Sequence, residues 1–170
     1  MFWPFKKYDV EMSPEVRGVI KLDGKPQVGL TVHRELFYEG YKDGEKVSDV
    51  VKTNSKGEFY FPEYHVRSRS PKDVFGQNFV IAQEIYTKKG DKDIYLWNAT
   101  KQAKAIPLVS DLMSKLVCDL NQEKLNYELR DPDTGERIYL PLTSICRWQG
   151  IKGYTDEQLV QKANELKLEE

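Results

Sequence analysis

Val16-Arg17-Gly18-Val19-Ile20-Lys21-Leu22, Leu30-Thr31-Val32-His33-Arg34-Glu35-Leu36-Phe37-Tyr38 and Glu58-Phe59-Tyr60-Phe61 are three runs that alternate apolar and polar residues. Val16, Ile20 and Leu22 share one face of the first, with Gly18 beside them where no side chain is wanted. Leu30, Val32, Leu36 and Tyr38 share one face of the second, Phe59 and Phe61 one face of the third. Alternation with period two, broken by turn residues, predicts half-buried antiparallel strands. Asp23-Gly24 and the Asn54-Ser55-Lys56-Gly57 turn supply the positive φ that tight reversals need. Arg34 breaks the pattern, because its parity is that of Leu30, Val32 and Leu36. A buried Arg must be paired, and Asp49 and Glu84 are the candidate partners.

Working outward, 7–12 alternates and reads as an edge strand, interrupted by Ser13-Pro14. A strand is expected near 46–53. Residues 63–77 read as an irregular, locally basic connection, and 101–107 as a loop. A long hairpin follows the basic stretch, with Phe79, Ile81 and Ile85 on one parity, a turn at Lys89-Gly90-Asp91 and a return at Ile94–Trp97. Val109, Leu112, Met113 and Leu116 have helical spacing, with Ser110 or Asp111 as cap. Leu125, Tyr127 and Leu129, the turn Asp131–Gly135, and Ile138, Leu140 and Leu142 form a second hairpin. Thr155 and Gln158 have the spacing of a capping box, and Leu159, Ala163 and Leu166 share a face behind them. The expected organisation is a leader or edge segment (1–14), a β-sandwich (15–150) and a short C-terminal helix (151–170).

The 170 residues carry 26 basic and 27 acidic side chains, for a net charge of −1. No basic stripe appears, which argues against a nucleic-acid binder. No run approaches the roughly 18 apolar residues of a membrane span. Met1–Lys7 is too short in its apolar part for a secretory signal. It reads either as a strand lead-in or as an interfacial foot giving weak membrane association. Without an export signal, the cytoplasm is slightly favoured over the periplasm. No Cys/His ligand cluster is present, and no metal or cofactor is expected. Cys118 and Cys146 sit in apolar runs and read either as one disulfide or as two reduced core thiols.

Gly18-Val19, Gly24-Lys25-Pro26, Gly29-Leu30-Thr31-Val32 and Thr53-Asn54-Ser55-Lys56-Gly57-Glu58-Phe59-Tyr60-Phe61 resemble the carboxypeptidase regulatory-like, or transthyretin-like, β-sandwich. That resemblance implies an all-β antiparallel sandwich and says little about activity. One transthyretin-like branch hydrolyses 5-hydroxyisourate through a His/Arg set and a C-terminal Tyr-Arg-Gly-Ser. Here only His33 and His65 are present and the chain ends Leu166-Lys167-Leu168-Glu169-Glu170. His33 has solvent-side parity, and neither His has a nucleophile at a useful spacing. Related adhesin repeats self-crosslink, for which Lys21, Glu84 and Asn98 would be the trio; as three solvated residues they need no such role. The chain is read as non-catalytic.

Lys6-Lys7-Tyr8, Ser13–Gly18, Gln83–Tyr86, Leu96-Trp97, Leu116–Leu120 and Thr143–Trp148 are also similar to a family of small Gram-negative bacterial proteins. The Cys118/Cys146 pair fits that family's pattern, which favours the disulfide. The resemblance implies an accessory role beside interbacterial secretion loci, type VI secretion among them. The expected function is therefore an immunity protein that blocks a secreted toxin by occlusion. The rivals are a carbohydrate- or cell-surface-binding accessory domain and a transthyretin-like hydrolase. Arg with aromatics is the usual hot-spot composition. That nominates Tyr64, Arg67, Arg69, Lys72 and Phe75 as partner-binding residues, with Trp97 and Trp148 as further candidates.

Overall fold

The computed structural model describes residues 7–68 and 80–168. Thirteen strands and two helices follow in order: β1 (Tyr8–Ser13), β2 (Val16–Leu22), β3 (Lys25–Pro26), β4 (Thr31–Tyr38), β5 (Val47–Lys52), β6 (Glu58–Phe61), β7 (Tyr64–Ser68), β8 (Val80–Lys89) and β9 (Lys92–Gln102). Then come α1 (Pro107–Met113), β10 (Leu116–Asp119), β11 (Leu125–Arg130), β12 (Arg137–Ser144), β13 (Gly153–Tyr154) and α2 (Asp156–Leu168). The chain is an all-β sandwich. One layer is a seven-stranded antiparallel sheet ordered β13-β11-β12-β9-β8-β4-β5. The other has β2 at its centre, with β10 on one edge and β6 and β3 on the other. A separate ribbon of β1 and β7 completes the second layer.

Alternation decides which face is buried. Val16, Ile20, Val32, Phe59, Phe61, Ile85, Leu96 and Trp97 fill the main core with Val109, Leu112 and Met113 of α1. Val10, Met12, Leu36, Tyr38, Val66 and Ile81 form a second core under the ribbon. Gly18 lies where a Cβ would come within 2.5 Å of the ring of Phe59, its cross-strand neighbour on β6, so that ring can lie across β2 only because glycine has no side chain. Asp23 and Gly24 turn the chain at φ 50° and 76°.

A polar seam runs between the two cores. Arg34 is buried; its Nε and Nη2 donate to Asp49 at 3.0 and 2.7 Å, and its Nη1 donates to the Pro62 carbonyl. Asp49, not Glu84, is its partner. Gln83 donates to the Met12 carbonyl at 2.7 Å and accepts from Trp97 Nε1 at 3.2 Å. Lys101 is buried against Glu11 at 3.1 Å. These groups hold the ribbon on the long sheet, and burial without such partners would cost a few kcal/mol each, about 1–3 per unmet group.

Four local expectations change. Residues 64–68 are strand rather than irregular connection, because β1 offers a partner edge and Tyr64, Val66 and Ser68 face inward. β9 runs through Lys101 and Gln102, drawn in by the pairing with Glu11. Helix α1 is capped by Ile106 without a side-chain bond, with Pro107 at its start, where a missing N–H costs nothing. Leu116 leaves the helix and opens β10, which lies parallel to β2. The capping box forms: the Thr155 N–H donates to Gln158 Oε1 at 3.0 Å and the Gln158 N–H donates to Thr155 Oγ1 at 3.2 Å. Of the shared face, Leu159 is half-buried while Ala163 is exposed.

Cys118 and Cys146 form a disulfide, both fully buried. Around it, the Ile145 N–H donates to Tyr95 O of one sheet and the Arg147 N–H to Val117 O of the other, each at 3.1 Å. Residues 145–147 thus stitch the two layers together. No helix among the described residues is long and apolar enough to cross a membrane.

Candidate functional site

Register brings a row of rings onto the outer face of the seven-stranded sheet. Val50 pairs with His33, His33 with Tyr86, and Tyr86 with Tyr95, across β5, β4, β8 and β9. A bulge between Ile85 and Tyr86 lets Leu96 and Trp97 both face the core while Tyr95 stays outside. The His33 ring lies flat on Tyr86, with centroids 4.9 Å apart and planes 9° apart. Tyr95 tilts against the other side of Tyr86 at 5.8 Å.

The next row is charged. Glu35 on β4 stands opposite Ser48 on one side and Glu84 on the other, and Glu84 stands opposite Asn98. The Tyr86 hydroxyl donates to Glu35 Oε1 at 3.0 Å, and the Lys46 ammonium donates to Glu35 Oε2. The Lys46 bond holds the Glu35 carboxyl below its ordinary range, helped by Tyr86. Burial, then the bond to Glu35 and the fields of Glu35, Asp93 and Glu84, push the Tyr86 phenol up to about 12. Tyr95 is pushed up by burial and by Glu84, Asp93 and Glu35. Glu84 is half-buried and makes no hydrogen bond or ion pair among the described residues. This arrangement can orient a cationic or hydroxyl-bearing group.

A groove of about 760 Å³ lies elsewhere, on the four-stranded sheet, lined in part by Arg17, Val19, Lys52, Tyr60, Lys115 and Val117. Arg17 stacks on Tyr60 at 4.4 Å. Two of its rim cations are already matched, Arg17 by Glu15 and Lys115 by Asp111.

Two of the five partner-binding residues nominated from sequence fall among the described residues. Tyr64 and Arg67 lie on β7 but on opposite faces, so they form no common anchor. Tyr64 is half-buried, its ring centroid 5.8 Å from the Arg34 guanidinium. Arg67 is exposed and registered with Asp9. Arg69, Lys72 and Phe75 lie outside the described residues, as does all of the Met1–Lys7 foot except Lys7. Trp97 and Trp148 are core, in edge contact at 6.0 Å. His65 is bound by Asp9 at 2.8 Å. Lys21 lies in the four-stranded sheet, registered with Asp119 and Pro26, apart from the Glu84/Asn98 pair. No group of three His, Cys, Asp or Glu residues is arranged to hold a metal among the described residues. Sequence reading passed over Glu35, Lys46, Tyr86 and Tyr95 as site residues. Their outward parity was visible, but the cross-strand register that gathers them was not.

Fold and face together define a β-sandwich with an outer sheet face on which rings and carboxylates converge. Residues 16–123 match the family model described as Domain of unknown function (DUF6795), and the chain belongs to that family. The match contains every member of the convergent face. No curated protein and no solved structure matches the chain.

Proposed function

We propose that the chain is a non-catalytic protein-binding module, and most specifically an immunity protein that neutralises a secreted interbacterial toxin by occlusion. The observation that supports binding is Glu84, a half-buried carboxylate without a bond among the described residues, beside Tyr86 and Tyr95 on the outer sheet face. A fold built only for stability gains nothing from that placement, because like charges opposite one another across strands are destabilising. The narrowing to a toxin rests on the sequence resemblance to small proteins beside interbacterial secretion loci. A standard interface buries about 1,600 Å² in total, and a pleated face several strands wide supplies one side of it. The partly exposed Tyr95 ring also favours a second reading, a carbohydrate-binding accessory domain, since an exposed ring stacks against sugars.

Affinity capture from the native organism, followed by mass spectrometry, tests both. The product of a neighbouring gene recovered in equimolar amount is the expected result. Recovery of polysaccharide alone contradicts it and favours the second reading.

A further inference from the structure

We infer that the outer face of β4, β8 and β9 takes a basic side chain, an Arg or Lys of a protein partner, seated against Glu84 and the Tyr95 ring. The inference rests on the protein-binding reading and names the chemistry of the partner.

Charge carries the argument. Glu35 and Glu84 are direct cross-strand neighbours. Glu35 is met twice, by Lys46 and by the Tyr86 hydroxyl. Glu84 is met by no bond among the described residues; Lys46 acts on it only as a more distant charge. Asp93, at the start of β9, has Lys88 at 3.7 Å, an exposed and loose pair. Three carboxylates therefore face two lysines, both of which lie at the edges of the patch, and the two phenols sit in the resulting negative field.

Ring chemistry points the same way. A guanidinium or ammonium over a tyrosine face is attracted by the negative face of the ring, more strongly as water is excluded. Tyr86 is closed off by His33 and Tyr95, but Tyr95 is half-exposed and stands diagonally from Glu84. A cation placed there meets a carboxylate and a π face together. Val50, 60% exposed at the β5 end of the ring row, and Phe37, 38% exposed further along β4, extend the same face with apolar surface. An acidic segment finds no such complement here, and a neutral one leaves Glu84 unmet.

The test is a two-dimensional amide NMR titration of the full chain with a capped hexapeptide containing two Arg residues, and with the same peptide carrying Glu instead. The expected result is shifts at residues 33–35, 84–86 and 93–95 with the Arg peptide only, weakening as salt rises. Glu84→Gln, checked for an unchanged amide spectrum elsewhere, is expected to weaken the Arg peptide about tenfold, as for loss of a part-buried charge partner. Equal response to both peptides, or equal binding by Glu84→Gln, overturns the inference. Shifts confined to the Arg17–Tyr60 groove also overturn it, while leaving protein binding intact. If the Arg peptide binds this face but native capture returns no protein, the protein-binding reading fails and the cation site stands.

Discussion

A guanidinium inside a hydrophobic layer is tolerated only when its charge and its N–H groups are both met. Arg34 has Asp49 bidentate, the Pro62 carbonyl, and the Phe61 ring 4.8 Å away. Arg34→Ala leaves Asp49 and the Pro62 carbonyl unmet, and urea denaturation is expected to show a loss of about 3 kcal/mol. The anomaly was legible in the sequence, since a polar residue at core parity stands out; its partner was not, because pairing needs the register of β4 against β5. On the outer face, two groups titrate oppositely. Tyr86 is raised, so its contribution is complete below the unfolded value of about 10 and is lost as pH rises through about 12. Glu35 is lowered, so its contribution is complete above about 4.3 and is lost as pH falls through its folded value. Stability followed against pH is expected to fall on both arms, with Glu35→Gln flattening the acid arm and Tyr86→Phe the alkaline one.

Strands announce themselves by alternation, and most of β2, β4, β6, β8, β11 and β12 could be read directly from the chain. β10 could not. It is four residues long, its Leu116 continues the helical spacing of α1, and its partner β2 lies about a hundred residues earlier. β7 was hidden for a related reason: its basic composition reads as a loop until β1 is placed beside it. The Glu11–Lys101 pair illustrates what the ribbon costs. Burial lowers the Lys101 ammonium's affinity for its proton, against the pull of Glu11. Buried pairs of this kind are often replaceable by apolar residues without loss. Lys101→Met alone is expected to destabilise by about 1 kcal/mol, because Glu11 loses its partner. The double variant with Glu11→Leu is expected to regain wild-type stability or exceed it by up to ~2 kcal/mol. A double-mutant cycle in urea checks both, and additive losses would contradict the account.

At the scale of the whole molecule, the two layers are joined at one edge by residues 145–147 and by the disulfide they carry. Cys118 and Cys146 are 28 residues apart. A loop of that size contributes about 3–4 kcal/mol by restricting the unfolded chain. Reduction is expected to lower stability by that amount with the sheets retained, as circular dichroism and denaturation with and without reductant will report. The disulfide was offered by the sequence as one of two readings and favoured by the family resemblance, while its physical reason, the crossing of β10 and the segment after β12, came with the structure. The proposed function was least legible of all, since the face offered for it is assembled from four strands and contains no motif.

The most direct measurement is calorimetric titration of the natively captured protein into the wild-type chain and into Glu84→Lys, both with unaltered circular dichroism. The account predicts micromolar or tighter binding by wild type and a loss of at least roughly a hundredfold in the charge-reversed form, because like charges meeting across an interface cost several kcal/mol. Equal affinity for both forms would contradict it.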